Sequence, residues 1–427
     1  MPSENVSWSA PAASGPVDAT VTLPGSKSMT NRALVLAALA TEPTRLHKPL
    51  VSRDTTLMAG ALRGLGAAIS EGGDVWEVVP GELRGPATID VGLAGNVMRF
   101  VPPVAALASG DVFFDGDPRA RERPMGPLIG ALRALGVRID DDGRGLLPMT
   151  VRGAGGVEGG PVTLNASSSS QLVSGLLLSG PRFGKGLEVR HEGPPVPSAP
   201  HLAMTVAMLR AAGATVETGQ DLWRVGPGPL LGGELTIEPD LSNAAQFLAA
   251  ALVTGGRVTV RDWPAETTQP GDKLRELLPL FGGEVSYGPD GLTVTGGGAI
   301  QGVEVNLAEC SELAQVLTML AALADSPSRF TGIAHIRGHE TDRLAALVAE
   351  INALGGDARE LEDGLEIRPE PLHGGLFHTY HDHRMVMAGA TLGLAVPGIE
   401  VENVATVGKT MPEFTDLWTA MLEGAGR

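Results

Sequence analysis

The sequence predicts an α/β fold arranged as two domains of three repeats each. Three observations lead there. Strongly apolar helices with polar starts recur about every 70 residues along the 427-residue chain. Each is followed by an amphipathic helix that stops at a glycine, and then by alternating segments that read as strands. The last repeat is cut off three residues after Gly424, so the strands it lacks must come from the N-terminus.

The first repeat shows the pattern in full. PGSKSMTNRALVLAALA, Pro24 to Ala40, joins a polar turn to an alanine- and leucine-rich helix with no charge after Arg32. Ser26 or Ser28 suits the N-cap, and the apolar part is too short for anything but a buried core helix. Similar starts follow at Gly95 (GNVMRFVPPVAALA), Ser169 (SSQLVSGLLLS), Ser242 (SNAAQFLAAALV), Ser311 (SELAQVLTMLAALA) and Asp382 (DHRMVMAGATLGLA). The second helices close on Gly66, Gly136, Gly213, Gly282, Gly355 and Gly424, where a left-handed cap is expected; WEVV, LTVT and LEIRP alternate as strands do. For the truncated sixth repeat the N-terminal candidates are VSWSA, residues 6–10, and ATVTL, residues 19–23. Three repeats per domain give one domain of 25–239 and another of 1–24 plus 240–427, with the two chain crossings as a hinge. A row of independent modules would leave the truncated repeat without an explanation.

Composition narrows the setting. The chain is 43% hydrophobic, enough for two or three cores, yet no apolar run approaches the roughly 18 residues of a membrane span. The first residues lack the basic start and apolar run of a signal peptide, and one cysteine excludes an internal disulfide framework. A cytoplasmic setting is therefore expected; a monomer is the expected state, though composition does not itself require it. The formal charge of −17 argues against nucleic acid or an anionic membrane as partner, since such affinity comes from cation–phosphate contacts.

Against that acidic background the placement of cations is informative. Lys27 and Arg32 lie at a helix start, where the backbone dipole disfavours a cation by about 0.3–1 kcal/mol unless an anion joins it. That turn by itself reads either as a solvated basic surface or as a phosphate or carboxylate cradle. Further cations recur in phase with the repeat: Arg99, Arg384 beside His383, and in connecting segments Arg123, Arg343 and Lys409. If the six polar helix starts face one cleft, their dipoles add roughly three positive charges, and the cleft calls for a polyanion.

PGSKSMTNRALVLAALA, LAGNVMRF, RERP, SSSSQ, GHETDRL, DHRM and GKTMPEF, in this order, resemble the 5-enolpyruvylshikimate-3-phosphate synthase family from about 20 to 420. The resemblance implies two inside-out α/β domains, each of three βαβαββ repeats, closing around substrate. It implies transfer of the enolpyruvyl group of phosphoenolpyruvate to the 5-hydroxyl of shikimate 3-phosphate, releasing phosphate without metal or organic cofactor. Its partners are thus two small-molecule anions. Carried over by motif, Lys27, Ser28, Arg32, Ser169, Ser170, Gln171, Ser198, Glu312 and His339 are implied to meet shikimate 3-phosphate. Lys27, Gly95, Arg123, Gln171, Arg343, Arg384 and Lys409 are implied to meet phosphoenolpyruvate, with Gly95 leaving room for the phosphate end, where the inhibitor glyphosate also fits. Lys27, Glu312 and Glu340 are implied to be catalytic: Glu312 takes the hydroxyl proton, and Glu340 and Lys27 handle the proton at the enol carbon.

The chain departs from the family pattern at several positions. Asn96 stands where most members have Thr, Glu312 where many have Asp, His339 where Lys is frequent, His201 where Tyr is frequent, and His335 at an asparagine position. Other motifs read less well: GKT at 408–410 lacks the upstream glycine of a phosphate loop, HDH at 381–383 has no further ligand cluster, and Cys310 reads as packing. Two alternatives are the sister transfer to UDP-N-acetylglucosamine and a non-catalytic polyanion-binding scaffold. The sister family carries a Cys in the loop that is GDPRARERPMGPL here, and the scaffold does not account for Glu312 and Glu340 among the cations.

Overall fold

The computed structural model describes residues 7–424. The chain divides into two compact units, Gly25–Ile237 and the chain before Gly25 together with that from Glu238 onward. Each has its own hydrophobic core.

In the Gly25–Ile237 unit the helices are α1 (Lys27–Leu39), α2 (Arg53–Gly64), α3 (Gly95–Ala105), α4 (Gly126–Ala134), α5 (Gln171–Ser179) and α6 (Ala199–Ala211). The apolar α1, α3 and α5 pack on one another. Every residue of α3 is buried, as is α1 from Met29 on, polar residues such as Asn31, Arg32, Asn96 and Arg99 included, so these helices need cover on every side. Three four-stranded sheets provide cover, each with the same order. In one, Ala87–Asp90 runs parallel to Ser109–Asp115, which pairs antiparallel with Met149–Ala154, and that strand with Arg138–Asp140. Gly160–Leu164, Leu187–His191, Leu222–Val225 and Val216–Gly219 repeat the order.

The other unit holds α7 (Ala245–Thr254), α8 (Leu274–Leu280), α9 (Ala314–Ala322), α10 (Arg343–Ala353), α11 (His383–Gly393) and α12 (Phe414–Leu422). Here α7, α9 and α11 form the buried trio. The six glycines after the second helices of the repeats all have positive φ, from 66° at Gly424 to 118° at Gly66, as capping requires.

The N-terminal strands are shared out differently from the expectation. Trp8–Ser9, inside VSWSA, does join the sixth sheet, pairing antiparallel with Ile399–Val401; Val6 lies outside the described residues. ATVTL does not. Its strand, Asp18–Val21, runs parallel to Arg257–Val260 and leads the fourth sheet instead. The reason is topological. The strand just before α7, Gly233–Thr236, pairs with Thr44–His47 and leads the first sheet, so the fourth repeat needs a leading strand from elsewhere. The strand before α1 fills that place, so the first and fourth repeats trade leading strands while each strand pairs within its own unit.

Helix α3 carries Pro102 and Pro103 in its interior. Pro103 has no N–H for the Arg99 carbonyl, and α5 approaches at that point: a Cβ on Gly175 would stand 2.1 Å from the Arg99 oxygen. Gly175→Ala is therefore expected to destabilise the fold by about 3 kcal/mol, even though alanine gains up to about 1 kcal/mol in an ordinary helix. The denaturation midpoint measures this, and an unchanged or raised midpoint would mean that α3 and α5 can part freely.

Candidate active site

In the Gly25–Ile237 unit, Ser26 caps α1 by accepting from the Met29 N–H at 3.4 Å, and Lys27 is the first helical residue. The Lys27 ammonium lies 3.2 Å from Asp54 Oδ2, in the first turn of α2, with the Lys27 side chain 18% exposed and that of Asp54 2%. Gly95, Arg123 and Gln171 converge. A Cβ on Gly95 would stand 3.0 Å from Arg99 Nη1, 3.0 Å from Gln171 Oε1 and 3.1 Å from Arg123 Nη2. The glycine therefore leaves a small space ringed by two guanidinium groups and an amide. Ser170 is buried and Ser169 half-buried at the start of α5, where the Ser169 hydroxyl oxygen accepts from the Gln171 N–H at 3.2 Å. Ser198 precedes α6 with φ 53°, a left-handed conformation unusual for a residue with a side chain.

Arg32 is more deeply buried than Lys27. It is 1% exposed and lies over the Phe100 ring, 5.2 Å from the centroid. Four of its five N–H groups face protein acceptors: Thr205 at 2.8 Å, the Ser28 carbonyl at 3.0 Å, Ser174 at 3.4 Å and the His201 carbonyl at 3.1 Å. It ties α1 to α5 and α6, and orients the Ser28 backbone.

The second cluster lies on the starts of α10 and α11 and the segments around them. Arg343, first residue of α10, meets Asp382 through two bonds, Nε to Oδ2 at 2.7 Å and Nη2 to Oδ1 at 3.1 Å; it also meets Glu340 at 3.0 Å and His339 Nδ1 at 3.0 Å. Lys409 donates to the other oxygen of Glu340. Burial opposes the charge on Arg343, but Asp382 and Glu340 outweigh it and hold the guanidinium protonated, above its ordinary range. Arg384 donates to the Ser242 carbonyl at 3.0 Å, and burial weakens its proton affinity, with Asp240 acting the other way. The Ser242 hydroxyl reaches Glu312 Oε1 at 3.4 Å. Glu312 sits in the tight turn Ser311–Leu313 that precedes α9, not inside that helix as its motif suggested. His335 pairs with Ser311 at 2.9 Å, and burial lowers it to about 4, so it is neutral near pH 7.

Such an arrangement can bind anions and move protons: two cationic groups of side chains, at helix starts and in the segments beside them, with the carboxylates of Glu312 and Glu340 among those of the second. Among the described residues, no group of three or more His, Cys, Asp or Glu is arranged to hold a metal ion. The family model for EPSP synthase (3-phosphoshikimate 1-carboxyvinyltransferase) matches residues 11–418. The chain belongs to the EPSP synthase family. It is 53% identical to the 3-phosphoshikimate 1-carboxyvinyltransferase of Kocuria rhizophila, over 98% of this chain and 97% of that protein. Two solved structures of EPSP synthase from Acinetobacter baumannii share the fold, each with a TM-score of 0.79 at 24% identity over 97% of this chain and 97% or 98% of theirs.

For an EPSP synthase, the motifs named most of the charged groups but missed their partners. Asp54 looks like an ordinary acidic residue after the Ser52 N-cap, and nothing local ties it to Lys27. Asp382 was visible as the start of DHRM, yet its grip on Arg343 was not. Arg99 stood out as a cation, without a site assignment. Cys310 is 4% exposed, and burial, aided by Glu312, pushes its thiol up to about 12, which removes it as a nucleophile near neutral pH. Cys310→Ala is expected to retain activity within about twofold, and the native thiol to resist alkylation at pH 8. A variant that folds but is inactive would give Cys310 a chemical role.

Proposed function

We propose that this chain transfers the enolpyruvyl group of phosphoenolpyruvate to the 5-hydroxyl of shikimate 3-phosphate, in the shikimate route to chorismate and the aromatic amino acids. The 5-hydroxyl oxygen attacks the substituted enol carbon while a proton adds to the methylene carbon, giving a tetrahedral ketal that bears carboxylate and phosphate. Loss of phosphate and of a proton from the new methyl group restores the double bond.

In the Gly25–Ile237 unit, Lys27, Ser28, Ser169, Ser170, Gln171 and Ser198 take the shikimate phosphate and hydroxyls, with Arg32 fixing the Ser28 backbone. Gly95 and Arg123 take the phosphate end of phosphoenolpyruvate, with Gln171 and Lys27 beside them. In the other unit, Arg343, Arg384 and Lys409 hold phosphoenolpyruvate anions, and His339 and Glu312 meet shikimate 3-phosphate. Glu312 accepts the hydroxyl proton; Glu340 and Lys27 serve the methylene carbon. Pre-placed cations stabilise the ketal without reorganising, which makes electrostatics the largest catalytic contribution. The protein works as a cytoplasmic monomer on these two small molecules.

The observation that carries the reading is the placement of carboxylates against cations in the second cluster, Glu340 between Arg343 and Lys409 and Glu312 linked through Ser242 to Arg384. A scaffold that only binds polyanions has no use for them. Purified protein given phosphoenolpyruvate is expected to release phosphate when shikimate 3-phosphate is added and not when UDP-N-acetylglucosamine is added. The reverse preference would sink the assignment.

A further inference from the structure

Helix α10 grips the segment before α11 at two levels. Arg343, at its first position, binds Asp382. Two turns on, on the same face, Glu350 is 2% exposed and takes the segment at a second place: Oε2 accepts from the His378 N–H at 2.8 Å and Oε1 from the Tyr380 hydroxyl at 2.6 Å. Between these grips lies an unfavourable stretch of backbone. Tyr380 has φ 53° and His381 φ 57°, two successive residues with side chains in the left-handed region. Such a conformation persists only where its surroundings over-determine it. Here the determinants are Glu350 on one side, Arg343 on the other, and Asn403, whose side-chain amide donates to His381 Nδ1 at 3.1 Å.

What the held turn delivers is Asp382. Its Oδ1 accepts the Arg384 N–H at 2.9 Å as the cap of α11 while both oxygens face Arg343, so one buried carboxylate sets the spacing of two arginines. We propose that Tyr380 and Glu350 are positioning residues that keep Asp382, and through it Arg343 and Arg384, in register for phosphoenolpyruvate. This rests on the assignment of phosphoenolpyruvate to those arginines. Burial and Glu350 raise the Tyr380 hydroxyl above its usual range, so it remains a donor throughout the working pH range.

Tyr380 is 38% exposed, so removing its hydroxyl leaves the core packing intact. Tyr380→Phe is expected to raise the KM for phosphoenolpyruvate about tenfold, the factor that loss of one hydrogen bond to a charged group is worth, while the KM for shikimate 3-phosphate stays within about twofold; the thermal midpoint falls too, because the buried Glu350 carboxylate loses a donor, so the split between the two KM values is the deciding readout. Glu350→Gln can still accept from His378 and donate to the Tyr380 oxygen, and is expected to stay close to the unaltered protein; Glu350→Ala is expected to share the Tyr380→Phe defect. An unchanged phosphoenolpyruvate KM in Tyr380→Phe, or an equal rise for both substrates, would overturn the inference. If the unaltered protein itself releases no phosphate from the two substrates, the assigned reaction fails and this inference with it.

Discussion

Lys27→Ala is expected to lower kcat/KM about a thousandfold and to destabilise the fold as well, for two separable reasons. The ammonium is a preorganised cation at the start of α1, and removing one such group from a site where negative charge develops costs about 10²–10³ in rate; its assigned part in proton transfer adds to this. The stability loss has a different origin. The Asp54 carboxylate is 2% exposed and 3.2 Å from the ammonium, so deleting Lys27 leaves a buried charge without this counterion, at a cost on the order of 3 kcal/mol. Adding Asp54→Asn removes that charge and should restore most of the stability while leaving activity low. Thermal midpoints and steady-state rates of the two variants make the comparison. If the double variant regains activity, Lys27 acts only through Asp54 and its catalytic assignment is wrong.

Asp382→Ala carries the largest expected loss of stability, about 4–5 kcal/mol. Breaking a buried ion pair from one side typically costs 3–5 kcal/mol, and loss of an N-cap about 1 kcal/mol more. Both apply at Asp382, which is fully buried, makes two bonds to Arg343 and caps α11. Asp382→Asn keeps one oxygen for the cap but loses the charge, so it should fall between the two, with a raised phosphoenolpyruvate KM in the folded protein. Denaturant midpoints rank the three proteins; a change below about 1 kcal/mol for Asp382→Ala would show that Arg343 finds another counterion and that the pair does not organise the cluster.

Much of this protein is legible along its chain because its signals are local. Apolar runs long enough for a core helix, glycines that end the second helices and alternating segments are all written within a dozen residues, and the structure follows them from Lys27 to Gly424. The motifs likewise named Lys27, Arg123, Arg343, Arg384 and Lys409, because cations that recur in phase with the repeat are conspicuous in an acidic chain. What the sequence by itself determined, then, is the repeat, the class of fold and the cationic chemistry. Only the tertiary structure decided which strand leads which sheet, that Asp54 faces Lys27, that Gly175 touches the Arg99 carbonyl, and that Asp382 and Glu350 hold the turn before α11. Those are contacts between residues far apart in the chain, set by which surfaces are left to be covered once the buried helices pack, and periodicity along the chain holds no record of them.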